Sequence, residues 1–162
     1  MPAEIPADDL AGAAASSVEP LHLLKMAVGI ADIDELRRFR AARRKERGSS
    51  WVYTRNHPRR AAEILDSGGS IYWVIRGKIQ VRQLVVGFRS ERDEKGRAYC
   101  LIDVDPDLVA TLWRPWRPFQ GWRYLKPVDA PPDAPEGIGA EEVAAGALPE
   151  RMIAELRALG LW

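Results

Sequence analysis

The residues best suited to chemistry in this chain lie in one stretch, Trp113 to Lys126, reading WRPWRPFQGWRYLK. It holds three tryptophans, a phenylalanine, a tyrosine, three arginines and a lysine, with no acid among them. Aromatic faces interleaved with guanidinium groups suit two tasks, stacking on planar bases and holding phosphates. Pro115, Pro118 and Gly121 rule out a regular helix, so an extended aromatic and cationic ribbon is expected. Trp113, Trp116, Phe119, Trp122 and Tyr124 would stack bases, while Arg114, Arg117 and Arg123 track phosphates. In the competing reading these aromatics form core, each arginine lying over a ring by cation–π contact.

A second cationic segment stands upstream. Asp32 precedes the apolar series Ile33, Leu36, Phe39 and Ala42, with Glu35 at capping-box distance, which predicts a helix over Ile33 to Arg47. Arg37, Arg40, Arg44 and Arg47 recur at three- or four-residue steps and would form one stripe on its other face, with Arg38, Arg43 and Lys45 beside it. Between Leu36 and Arg60 there are ten basic residues and one acid, Glu46, so salt bridges within the segment cannot neutralise it. Pro58 suits the first turn of another helix running through Ile64 and Leu65 to Ser67-Gly68-Gly69. Its amino end would gather Arg55, Asn56, His57, Arg59 and Arg60, where unpaired N–H groups favour anions. A merely solvated basic face is the alternative.

The formal net charge of +1 hides a partition: residues 1–19 carry four acids and no Lys or Arg, and residues 127–162 carry seven acids against two arginines. The remaining 22 basic and 12 acidic residues give the centre an excess of +10. A basic body invites an anionic partner, unless the acidic ends fold back on it.

Several chemistries are excluded. The single cysteine, Cys100, cannot form an internal disulfide and sits in an apolar run as a small hydrophobe. His22 and His57 are too far from each other and from Cys100 to suggest a structural zinc site. Asp103, Asp105 and Asp107 read as turn chemistry around Pro106, capping a short helical turn near Leu108 to Ala110, rather than as a cation site. His57 has no evident partner as a general base. No paired carboxylates, Ser/His/Asp set or phosphate-cradling glycine motif is present, which points away from an enzyme and calls for no cofactor or metal. No apolar run reaches the eighteen residues of a membrane span, and the acidic start lacks a secretory pattern, so the cytoplasm is the expected compartment.

The elements that must position these residues follow from patterning. Residues 1–19 read as a disordered leader. Leu21 to Val28 is a strand-length apolar run near the middle of a sheet, and Trp51 to Arg55 alternates as a short strand. Ile71–Arg76, Ile79–Phe88 and Arg97–Val104 predict an antiparallel meander broken at Gly77-Lys78 and at Asp93 to Gly96. Ile71, Trp73 and Ile75 would share one face, as would Ala98, Cys100, Ile102 and Val104. Gln80, Arg82 and Gln83 are odd choices for buried positions and are expected to line a groove inside a curved sheet. Residues 127–147 read as a Pro/Gly/acidic linker, and 148–162 as an amphipathic helix that docks on the body or on a partner protein. The expected fold is α+β over residues 20–126, with a curved antiparallel sheet or small open barrel and two to three flanking helices.

Two stretches taken together, GGSIYWVIRGKIQVRQ and RPFQGWRYLKPVDAPPD, make the chain resemble the bacterial family called domain of unknown function 1489 over about Leu21 to Pro132. That resemblance implies no activity, cofactor or catalytic residue. The order of elements is also similar, more distantly, to the curved barrels of the PUA superfamily, whose ASCH and EVE modules bind RNA or modified bases. An ASCH-like pattern would need Gly-x-Lys-x-x-Glu-x-Arg, whereas Gly77, Lys78, Gln80 and Arg82 lack the spacer and the acid. The leading expectation is a non-enzymatic module for RNA or single strands. The alternatives are a binder or enzyme for a small anionic, nucleotide-like ligand oriented by Arg82, Arg123 and Tyr124, and a protein adaptor using the ribbon and the carboxy-terminal helix.

Overall fold

The computed structural model of the protein describes residues 19–135. Two helices and seven strands form a mixed, open, curved sheet. The leader up to residue 18 and the carboxy-terminal helix expected at 148–162 lie outside the described residues.

The first apolar run narrows to β1 (His22–Met26), which leads through a loop into α1 (Ile33–Arg47). Asp32 caps α1 by accepting the Glu35 N–H at 2.7 Å, and Glu35 reaches back to the N–H of Ala31 rather than of Asp32. Gly48 ends the helix in the left-handed region at φ 79°, a conformation that costs glycine little. Next come β2 (Trp51–Thr54) and α2 (Ala61–Ser67). The second helix starts three residues after the expected Pro58, because Pro58 to Arg60 form a turn in which its carbonyl accepts the Ala61 N–H.

The meander is present as β3 (Ser70–Ile75), β4 (Lys78–Arg92) and β5 (Ala98–Val104). The β3–β4 turn is Arg76-Gly77, not Gly77-Lys78: Ile75 pairs with Lys78, and both turn residues have positive φ, 49° and 80°, the two-residue hairpin geometry that follows strand twist. Expected as a helical turn, Leu108 to Ala110 instead enter β6 (Val109–Pro115), where pairing with β4 outweighs the local turn signal. The Asp105 carboxylate does serve the turn, accepting the Asp107 N–H at 2.9 Å. β7 (Trp122–Leu125) completes the set.

Strand order is β2-β5-β4-β3-β1-β7, with β6 beside the first half of β4 on the edge that β5 takes further along. The sheet is not purely antiparallel as expected, since β1 runs parallel to β3 after the long crossover through both helices. Register shifts along β4 at Ile79/Val81 and Val85/Gly87 bend the long strand so that it can serve both partners.

Alternation divides the buried residues between two faces. Leu23, Ile71, Trp73, Ile75, Cys100, Ile102 and Val104 pack with Ile33 and Leu36 of α1 and Ile64 of α2. On the opposite face Leu24, Tyr72, Val74, Ile79 and Leu125 form a smaller core covered by Trp116 and Phe119. The aromatic ribbon is therefore not one surface. It starts in β6, crosses the second face as a strap and ends in β7 at the far edge. Residues 132–134 run along β6, where Leu112 N–H donates to Pro132 and Ala134 N–H to Ala110.

Gln80 and Gln83 are core cross-links rather than groove linings. Gln80 Nε2 donates to the Ile75 carbonyl, while Gln83 accepts from Trp73 Nε1 and donates to the Asp105 carbonyl, each near 3.0 Å. Polar groups at buried strand positions are retained when both ends find partners.

Candidate nucleic-acid interface

The inner face of α1 carries Ile33, Leu36, Arg40, Arg43 and Arg47, a three-four-three-four spacing. Phe39 is 44% exposed, whereas Arg40 is 7% exposed, so the helix is rotated from the phase expected on hydrophobicity. Arg40 enters because three elements receive it. One guanidinium nitrogen donates to the Trp51 carbonyl at 2.9 Å and to Ser50 Oγ at 3.3 Å, and the group lies 5.9 Å from the Trp73 ring centre. Its Nε–H is buried without a partner. Burial, and then the cations of Arg47 and Arg43, hold this guanidinium down to about 10.

Arg40, Arg43 and Arg47 line a concavity of about 220 Å³ beneath α1, completed by Met26 at the end of β1, Val28 from the loop after it, and Trp51 and Tyr53 of β2. Arg47 lies over the Trp51 ring, its guanidinium carbon 3.6 Å from the ring centre, and its pKa is lowered by partial desolvation and by Arg43. Among the described residues no carboxylate lines the space. An uncompensated charge this deep is costly, and such groups concentrate at functional sites.

A second concavity of about 270 Å³ adjoins it and is lined by Lys25, Arg55, Arg123, Trp122 and again Tyr53, with no carboxylate among the described residues; Arg55 donates to the Ala98 carbonyl at 3.1 Å and lies 4.0 Å from Asp93 outside the space. Trp122 Nε1 donates to the Asn56 carbonyl at 2.9 Å, tying the end of the ribbon to the loop after β2. Arg123 is braced by the Gln120 and Trp122 carbonyls and stacks over Phe119. Burial lowers Lys25. Tyr53, 47% exposed on a strand at the sheet edge, lines both spaces and also a further one beside Tyr99, whose ring lies 5.3 Å from its own. A third, more open concavity near the β4–β5 turn mixes Asp93 and Glu94 with Arg92, Lys95 and Arg97 and has no preference for anions.

The other expected residues are dispersed or engaged. Arg37 pairs with Asp34 at 2.9 Å, and Arg44 points outward from the concavity. Arg60 is held by Glu63, while its backbone N–H donates to the Tyr124 hydroxyl. Arg82 makes two bonds to Asp133, at 2.7 and 2.8 Å, and a third to Ser70. Arg114 lies 3.7 Å from Asp129. Arg59 and Arg117 are exposed outside both concavities. Trp122 and Tyr124 are half-buried against the main core with their rings 4.8 Å apart, so here the core reading of the aromatics holds. Of the twelve expected site residues, Arg40 reaches the first space, and Arg55, Trp122 and Arg123 reach the second. Sequence reasoning placed Arg43 and Arg47 only beside or at the end of its stripe, and it gave Lys25 and Tyr53 no site role. The heptad-like spacing in α1 was the available signal.

His57 does have a neighbour, with Ser90 Oγ 3.1 Å from its Nδ1. The pair is exposed and, among the described residues, no carboxylate hydrogen-bonds to the imidazole. Nothing there activates a nucleophile as a triad would. Likewise, no group of three His, Cys, Asp or Glu among the described residues could hold a metal, and no helix among them is long and apolar enough to cross a membrane.

The fold and site thus define an α+β protein whose open curved sheet carries an aromatic and cationic double concavity, lined by no acid among the described residues. Residues 23–162 match the family described as Protein of unknown function (DUF1489), and the chain belongs to that family. No curated protein and no solved structure matches it significantly, so the likeness to PUA-superfamily barrels gains no support.

Proposed function

We propose that this chain is a cytoplasmic, non-enzymatic module that binds single-stranded nucleic acid, RNA foremost, along the double concavity. One observation carries the reading: six cations, Arg40, Arg43, Arg47, Lys25, Arg55 and Arg123, line two adjoining spaces that share an exposed tyrosine and, among the described residues, no carboxylate, with Arg55 alone having an acid, Asp93, at 4.0 Å. Phosphates would lie against the guanidinium groups while a base stacks on Tyr53, a contact worth about 1–3 kcal/mol. Two concavities sharing one aromatic ring suit consecutive nucleotides of a flexible strand better than a rigid duplex. Among the described residues neither space holds an activated nucleophile or base, which favours binding over catalysis.

Anisotropy titrations of a single-stranded oligoribonucleotide over a salt series test this. With Arg43, Arg47, Arg55 and Arg123 reaching phosphates, log K should fall with log salt at a slope of about −3, at about −0.7 per phosphate. Arg55→Gln with Arg123→Gln should reduce the slope by about 1.4. Salt-independent binding, or equal slopes in wild type and variant, would sink the proposal.

A further inference from the structure

We propose that the concavity beneath α1 is an end pocket, which takes the terminal phosphomonoester of a nucleotide rather than an internal phosphodiester; this rests on the nucleic-acid reading above. The burial of one cation separates it from its neighbour, and its charge and size fit the same ligand. Its innermost cation, Arg40, is more than nine-tenths buried and meets no carboxylate among the described residues lining the space, so an anion there would face a charge the fold leaves unbalanced; its Nε–H, which lacks an acceptor, is itself closed off from the space. Three arginines line a space with no carboxylate among the described residues, which is more positive charge than one monoanionic diester balances. A phosphomonoester carries about −1.5 to −2 at neutral pH and offers three strong acceptor oxygens.

Size and lining give the rest. About 220 Å³ is below the roughly 300–1,000 Å³ of sites that enclose a whole small molecule, so the space admits one end of something larger. Met26 and Val28 add apolar lining that suits a sugar or base edge, while the Trp51 ring is covered by Arg47. Tyr53 at the rim leads directly to the second concavity, where Arg55 and Arg123 would take the next phosphate along the chain. A strand terminus and a free nucleoside monophosphate share this chemistry.

The test uses the full chain and four ligands: a uridylate dodecamer with hydroxyl ends, the same with a 5′-phosphate, the same with a 3′-phosphate, and free uridine monophosphate. Affinities are read at about 150 mM salt, where long-range charge effects are screened. One end-phosphorylated dodecamer should bind about tenfold or more tightly than the hydroxyl-ended one. That gain should vanish in Arg43→Gln with Arg47→Gln and persist in Arg55→Gln with Arg123→Gln. Arg43 and Arg47 are only half-buried, and circular dichroism with a thermal melt checks that the first variant folds. Uridine monophosphate binding as tightly as the phosphorylated dodecamer would assign the pocket to free nucleotides; a clear advantage of the dodecamer would assign it to strand ends. Equal affinity of wild type for all three dodecamers, or a gain that survives Arg43→Gln with Arg47→Gln, overturns the end pocket while leaving strand binding intact. Loss of all dodecamer binding with retained uridine monophosphate binding would instead overturn the nucleic-acid reading.

Discussion

Replacing Arg40 with methionine separates a binding role from a structural one. The guanidinium's fall from its ordinary value to about 10 means that the folded state disfavours its charge by roughly 3 kcal/mol, at 1.36 kcal/mol per tenfold. Methionine removes that penalty and fills similar volume with a flexible apolar chain. Against this stand the bonds to the Trp51 carbonyl and Ser50 Oγ, about 1 kcal/mol each, and a distant contact with the Trp73 face. The balance predicts that Arg40→Met is between unchanged and about 2 kcal/mol more stable, raising the melting temperature by up to several degrees. Oligonucleotide affinity should fall in the same protein, because a function-bearing charge is held at a cost to stability. Urea unfolding and anisotropy on one preparation measure both. A loss of more than about 2 kcal/mol with affinity unchanged would show Arg40 to be a clamp between α1 and β2, and the functional argument from its burial would fail.

Two further outcomes concern the frame around the site. His22 is buried, and its Nδ1 accepts the Ser70 N–H at 3.0 Å, so the imidazole is held neutral; burial first and Arg82 second depress it to about 4. Because the folded value lies below the unfolded one of about 6.5, this contribution is complete above pH 6.5 and is lost as pH falls toward 4, roughly 3 kcal/mol in all. His22→Asn, which keeps an acceptor that does not titrate, should flatten that part of the stability profile, and an identical acid loss in both proteins would count against the assignment. Gly69→Ala should cost about 3 kcal/mol or more by chemical denaturation, since its Cβ would run into the Leu21 carbonyl and come within 2.9 Å of Ile64 Cγ2; a change below about 1 kcal/mol would mean the strand entry relaxes freely.

The sequence by itself determined the elements of this protein, because their signals are local. Asp32, Glu35 and Gly48 set the ends of α1, the alternation in Ile71 to Ile75 decided which side chains enter the main core, and the prolines after Trp113 kept the ribbon extended. It also showed where positive charge accumulates without acids nearby. Only the tertiary structure decided which of those charges meet. Hydrophobicity places Phe39 inward and Arg40 outward, yet Arg40 finds Trp51, Ser50 and Trp73 on elements brought in by the fold, and the helix turns to present it. The ribbon looked continuous, but pairing of β6 with β4 and of β7 with β1 sends its two ends to different strands, neutralising Arg114 near Asp129 and leaving Arg123 beside Arg55. Strand partners and ion pairs across fifty residues depend on chain crossings that no local spacing encodes, and the double concavity is a product of those crossings.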